Sequence, residues 1–386
     1  MSTTSTTSSS TTSPTCTTPK PGKNGYLPPE ACDVILYYVP SFAAAGLFCV
    51  LFGVSMIWHG VQGFMYKKVE SMRTLTLMDS ADSMQTYTWV IVMGALWELL
   101  AFVFRALLTH QQNREAWASV HTILFLLAPL WINAFLYMTL GRLIHFFIPS
   151  QRLGGIAAKR YGQLFVCLDI VAFIVQGAGA GMTSNVDNSD DEIMRGVHIY
   201  MGGIGLQELF ILVFVGLAIH LHRRLVCMER ALQLDVEKLN RNMMNWRWLF
   251  YAIYTALGMI TVRIVFRLCQ YADGTNPNNP VLTHEWYEYV WDAVPMFLAL
   301  LVLNLVHPGL ILQGPDSEFP RLSREEKKKL KEERKRLKQE SKEADRTWKK
   351  GRRDNAEYDM LVRQEEGFMN ANAGHTGHTP VSSGSR

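Results

Sequence analysis

A chain of 386 residues with 48% hydrophobic content would ordinarily fill two or three soluble domains. Here the apolar residues come in blocks of about 20 or more, the length that crosses about 30 Å of hydrocarbon, which excludes a soluble globular protein. The formal net charge of +4 is informative only through its position along the chain, and the six cysteines form no CxxC pair, which argues against structural zinc.

In chain order, residues 1–33 form a polar tail whose Ser/Thr/Pro-rich start cannot bury a core and reads as disordered. It lacks the charged start and apolar run of a cleavable signal peptide, so the first helix is expected to act as signal anchor. Residues 34–312 are expected to hold seven transmembrane helices. Their spans are Val34 to Trp58, Gln85 to His110, Trp117 to Phe147, Gly162 to Thr183, Ile199 to His222, Trp246 to Tyr271 and Trp286 to Leu312. Trp, Tyr and His near their ends are the usual interfacial anchors.

The connections alternate in charge. The first carries Lys67, Lys68 and Arg73; the third Arg152, Lys159 and Arg160; the fifth Arg223, Arg224, Arg230, Lys238 and Arg241. The second has Arg114, the fourth has Arg195 among Asp187, Asp190, Asp191 and Glu192, and the sixth has neither Lys nor Arg. Basic loops stay in the cytoplasm, so the fold class expected is an all-α bundle of seven spans with its N-terminus outside and its C-terminus cytoplasmic. Cys16, Cys32 and Cys269 then fall on the outer side, where one disulfide among them is open and the third stays free. The tail 313–386 is basic from Arg321 to Arg353, with Glu and Lys at the spacing of an exposed helix, and is expected to be disordered after Asp354. Its positive charge suits an anionic inner leaflet, and its tether to a membrane speaks against nucleic acid.

The residues that do not belong in lipid carry the functional signal. Glu98 and Arg105 lie seven apart on the second span, as do Asp169 and Gln176 on the fourth. Gln207 and Glu208 lie on the fifth, Arg263 and Arg267 four apart on the sixth, and Glu285, Glu288 and Asp292 at i, i+3 and i+7 on the seventh. Each charge at the bilayer centre costs roughly 2.5–3.5 kcal/mol. These groups must therefore face one another or water, which implies a polar interior. The spacing predicts a ladder of ion pairs between Arg263 and Arg267 on one helix and Glu285, Glu288 and Asp292 on the next, with Arg105 among the paired ions. Glu98, Asp169, Gln176, Gln207 and Glu208 are the candidates for a substrate or proton path. The run from Gln176 to Gly181, with alternating glycines, lacks the Gly-Lys-Ser/Thr ending of a phosphate loop and reads as close helix packing.

Several segments in order resemble the fungal lipid-translocating exporter family of RTA-like seven-helix proteins. They are Tyr38-Val39-Pro40-Ser41; Glu98 with Arg105; Leu127-Ala128-Pro129 through Tyr137 to Leu140-Gly141-Arg142; Asp169 through Gln176-Gly177; Gly205-Leu206-Gln207; Arg263 with Phe266-Arg267; and Glu285, Tyr289, Asp292 and His307-Pro308-Gly309. The chain departs from the family pattern at Ala101-Phe102, where Gly-Tyr is usual, and at Gln270, where an acid is usual. The resemblance implies export or translocation of amphiphilic lipids such as sphingoid long-chain bases, or resistance to related toxic compounds. It also implies a fungal plasma membrane, with the vacuole or another endomembrane as the alternative, and no cofactor.

Two other functions are open to a seven-span chain. A lipid sensor would signal to a cytoplasmic partner through the basic loops and tail. The third span, however, ends in Leu140-Gly141-Arg142 without Asp-Arg-Tyr, and the seventh has no Asn-Pro-x-x-Tyr and no lysine for a retinal. An intramembrane lipid amide hydrolase would need clustered histidines for zinc. His121, His145, His198, His220, His222 and His307 are instead spread along the chain, so neither catalytic nor metal-binding residues are assigned.

Overall fold

The computed structural model describes residues 19–28, 31, 36, 38–73, 81–183, 189–234, 244–272, 274, 279–312 and 324–373. Residues 1–18 of the Ser/Thr-rich tail, and Cys16 and Cys32, lie outside them. Cys269 is a free, exposed thiol.

Among the described residues, seven helices are long and apolar enough to cross a membrane. They are α1 (Phe42–Arg73), α2 (Ala81–His110), α3 (Glu115–Phe147), α4 (Ala158–Thr183), α5 (Asp190–Arg230), α6 (Trp246–Tyr271) and α7. The last runs from Trp286–Glu288 through a π turn at Tyr289–Ala293 into Val294–Leu305. A two-stranded hairpin, β1 (Arg152–Leu153) and β2 (Ile156–Ala157), joins α3 to α4. Its loop is Gly154-Gly155, both at positive φ, as a type I′ turn requires.

Each helix packs on its neighbours in sequence, and α1 also packs on α7, so the bundle closes into a ring. Within that ring α3, α6 and α7 bury 61%, 56% and 61% of their most apolar windows, against 28% for α1 and α4. Those three helices therefore line the interior where the polar residues gather.

Helix ends follow from local chemistry. α1 begins later than the apolar run predicts, at Phe42, because Val39 is pushed to extended backbone by Pro40 and Ser41 caps the helix, its Oγ accepting from the Ala44 amide. Tyr38-Val39-Pro40-Ser41 is thus a non-helical lead-in. At the start of α5, Ser189 and Glu192 form a capping box, which carries this helix well outside its apolar core. Asn245 caps α6 through the Arg247 amide.

The second compact unit spans Pro320–Arg386 and consists, in its described part, of α8 (Arg324–Ala373). An Arg336–Glu340 pair at 3.2 Å shows the i, i+4 support read from the sequence. The helix also continues past Asp354, where disorder was expected. Ala, Glu, Met, Leu, Arg and Gln recur there, and all are good helix formers.

Small residues set the α4–α5 spacing, but unequally. A Cβ on Gly179 would stand 2.4 Å from the Tyr200 amide nitrogen and 2.6 Å from the Gly196 carbonyl oxygen, whereas Gly177 and Gly181 have nothing within 4 Å. Gly179→Ala is therefore expected to destabilise the bundle by about 1–3 kcal/mol, while Gly177→Ala raises stability by about 0.5–1 kcal/mol through helix propensity. Thermal unfolding of the detergent-solubilised variants checks the opposite signs.

Candidate functional site

Two prolines prepare the site. Pro129 inside α3 has no N–H to give the Phe125 carbonyl one turn earlier. That carbonyl is instead taken by Arg263, whose Nη2 donates to it at 2.6 Å. In α7, Pro295 likewise cannot bond the Trp291 carbonyl, and just before it the helix widens into the π turn, closed by the Val294 amide on the Tyr289 carbonyl. This is a familiar local adjustment in bundles. It buries Tyr289 and Asp292.

Asp292 then joins both arginines of α6. Its Oδ1 lies 2.6 Å from Arg263 Nη1 and its Oδ2 accepts from Arg267 Nε at 2.5 Å, with Asp292 wholly buried. The guanidinium groups of Arg263 and Arg267 lie 4.4 and 5.3 Å from the Phe125 ring centroid, adding cation–π attraction in a desolvated place. Glu98 of α2, also fully buried, stands 3.6 Å from Arg263 Nη1, and neither of its oxygens has a hydrogen-bond donor.

The ladder expected between α6 and α7 is divided. Asp292 alone takes Arg263 and Arg267, and Glu285 and Glu288 turn instead to Arg105 of α2, at 3.3 and 3.0 Å. A straight helix would hold the three acids in one line; the extra residue of the π turn breaks that line. The lead-in to α1 completes this second group. Tyr38 donates to Glu288 at 3.1 Å and accepts from Arg105, while the Ser41 amide donates to Glu285 at 2.8 Å. Tyr289 donates to Glu285 at 3.2 Å. His121 of α3 faces Glu288 across 3.7 Å.

The other candidates form separate stations. Asp169 Oδ2 accepts from Asn133 at 3.1 Å and Tyr137 at 2.9 Å, both on α3. Glu208, half buried, accepts from Thr261 of α6 at 3.0 Å. Gln176 donates to Gln207 at 2.9 Å. Beside that pair is a cavity of about 30 Å³ lined by Gln176, Gln207, Tyr200, Arg263 and Arg267 among others, room for roughly one or two waters. Gln176 and Gln207 thus reach the arginine network through the cavity, and Glu98 belongs to that network directly rather than to the Asp169 station.

Sequence reasoning missed Tyr38, His121, Asn133 and Tyr137. His121 and Asn133 carried a usable signal, since each is a polar residue inside an apolar span. A seam between α1 and α7 was missed as well. There Asn304 Nδ2 donates to Ser55 at 2.8 Å, Gln62 Nε2 donates to the Asn304 carbonyl at 2.7 Å, and His59 and His307 are fully buried. The two departures from the family pattern are absorbed locally. Gln270 still offers Arg267 an acceptor at 3.5 Å, and Phe102 stacks on Phe48 and Phe52. Among the described residues no group of three His, Cys, Asp or Glu side chains is arranged to hold a metal.

A family model described as RTA1 like protein matches residues 91–315. The chain is 57% identical to a protein of Emericella nidulans named "Probable lipid transporter atnI", over 85% of this chain and 81% of that one. It is 27% identical to "Protoporphyrin uptake protein 1" of Saccharomyces cerevisiae, over 70% of this chain and 91% of that one. It is also 25% identical to the yeast "Sphingoid long-chain base transporter RSB1", over 52% of this chain and 58% of that one. No solved structure matches.

Removing one partner of a buried ion pair strands the other, at about 3–5 kcal/mol. Asp292→Asn, which strands two guanidinium groups, is expected to cost that much. Glu285→Gln leaves Arg105 paired with Glu288 near the protein surface and is expected to cost about 1 kcal/mol or less. Equal losses in thermal stability would remove Asp292 from its central place.

Proposed function

The chain belongs to the RTA1-like family, and from that premise we propose that it moves amphiphilic lipids with a cationic head group, sphingoid long-chain bases in particular, across a fungal plasma membrane. The observation that carries this reading is a surplus of acid within the connected ion-pair network. Four carboxylates (Glu98, Glu285, Glu288 and Asp292) stand against three guanidinium groups (Arg105, Arg263 and Arg267). An unbalanced carboxylate in a low dielectric attracts a monovalent cation strongly, and a protonated amine supplies that charge while its alkyl tail stays in hydrocarbon.

The outer group is where the cargo enters. The Glu285 and Glu288 side chains keep 12% and 20% of their exposure, whereas Glu98 and Asp292 keep none. Glu98, with no donor on either oxygen, is the next station inward. Asp169 and Glu208, with the Gln176–Gln207 pair and its cavity, form a further polar stretch towards α5. In this reading the N-terminus is outside and the basic odd-numbered connections are cytoplasmic. The basic tail lies along the anionic inner leaflet, and the protein moves its cargo without covalent chemistry. The relatives named as transporters of lipid or of sphingoid long-chain bases support the cargo class.

Flux of a labelled long-chain base in proteoliposomes holding only the purified protein, with and without a proton gradient, tests the proposal. Transfer above protein-free liposomes is expected. Glu288→Gln and Glu98→Gln are each expected to slow it about tenfold or more, the kinetic equivalent of losing one charge-assisted contact. Lipid binding without transfer would overturn transport and favour a sensor with a cytoplasmic partner.

A further inference from the structure

We propose that His121 and Glu288 together form a proton seat, and that a cationic head group docking at the outer carboxylates displaces its proton. The proposal rests on a cationic lipid being the cargo, and it names what is exchanged for it.

The geometry of His121 sets the requirement. Its Nδ1 lies 2.9 Å from the Ala101 carbonyl oxygen, and its Nε2 faces Glu288 Oε1 at 3.7 Å. Carbonyls and carboxylates only accept hydrogen bonds, and a neutral imidazole has one N–H and one lone pair. In either tautomer one ring nitrogen therefore turns its lone pair on an oxygen. One additional proton, held on the ring or on the facing carboxyl, removes that conflict. The ring stays buried at 5% exposure, stacked on Phe125 at 5.4 Å and edge-on to Phe102 at 6.3 Å.

The groups around the pair come from every neighbouring element. Arg105 approaches from α2, Glu285 and Tyr289 from α7, Tyr38 from the lead-in to α1, and Arg267 of α6 sits over the Phe125 ring on which His121 stacks. Without the extra proton, Arg105 alone balances Glu285 and Glu288, which leaves one negative charge. With it the outer group is neutral. A proton and an alkylammonium thus compete for one charge, and half-open Glu288 gives the displaced proton a way to the outer solvent. Charge balances throughout: one cation enters the group as one proton leaves. Run in reverse, with a proton entering from an acidic outer solution as the cation leaves the group, the exchange needs no nucleotide.

Linkage sets the sign. Where the pair holds its proton, cation binding is weak; as pH rises through its titration, binding strengthens by up to about tenfold per pH unit. The test uses the full chain in detergent and an N,N,N-trimethyl long-chain base, whose own charge does not change with pH. Affinity is measured across pH, and proton release on binding is followed with an indicator dye. For the wild type we expect binding that weakens on acidification, and release of about one proton per bound cation at the acidic end of the profile. In His121→Gln, release is lost and the pH profile is flat. Wild-type binding with a flat profile and no release overturns the proton seat while leaving the cargo reading intact, and this arm decides alone if His121→Gln does not fold. Release from His121→Gln equal to wild type overturns it too. No binding by the wild type at any pH overturns the cargo reading, and the proton seat with it.

Discussion

The joint hold of Asp292 on Arg263 and Arg267 organises the interior of this bundle. Three charged groups sit together in the buried interior, at 2.6 and 2.5 Å. The desolvation of each is tolerable only because the others are present. That requirement fixes how α6 and α7 rotate against each other, and it brings α2 in as well, since Glu98 must also lie beside Arg263. A helix bundle in hydrocarbon gains little from apolar burial between its helices. The placement of buried charge and the close approach of small residues are what select one packing among many.

Helix-breaking residues serve that placement. Pro129 leaves the Phe125 carbonyl without its intrahelical donor, and Arg263 supplies one. Pro295 follows the π turn that buries Asp292 and breaks the line of acids, so Glu285 and Glu288 are left to Arg105. Pro40 ends the extended lead-in whose Tyr38 and Ser41 close over the same acids. In each case a lost backbone hydrogen bond or a helix that cannot form becomes part of a polar site.

The polar interior is consequently graded. A partly exposed group of two acids, one arginine, two tyrosines and one histidine leads to a sealed group around Asp292 and Glu98. A small cavity beside Arg263 and Arg267 then connects to the Gln176–Gln207 pair. A purely structural pair gains from being balanced and sealed, whereas this order is the one the proposed stepwise passage of a cationic head group requires. In the α1–α7 seam Asn304 donates to Ser55 and Gln62 donates to the Asn304 main-chain carbonyl, which fits a role in holding the ring closed.

The number of spans and the identity of most charged residues inside them were legible in the sequence. Apolar block length and the cost of charge in lipid are properties of the residues themselves. So was the need for Arg263, Arg267 and Asp292 to meet, since α6 and α7 are joined by a short connection. Which acid met which arginine was not legible: helical spacing assumes an unbroken 3.6-residue turn, and the π turn at Tyr289–Ala293 violates it. The recruitment of Tyr38 and of His121 was hidden for a related reason. Both depend on groups far apart in the chain, Tyr38 with Glu288 and His121 with Ala101 and Glu288, and only the closed ring of helices makes them neighbours. The sequence by itself determined that charge would be buried; tertiary packing decided which charges share a site, because that is settled by the rotation and local winding of helices, which residue type alone does not encode.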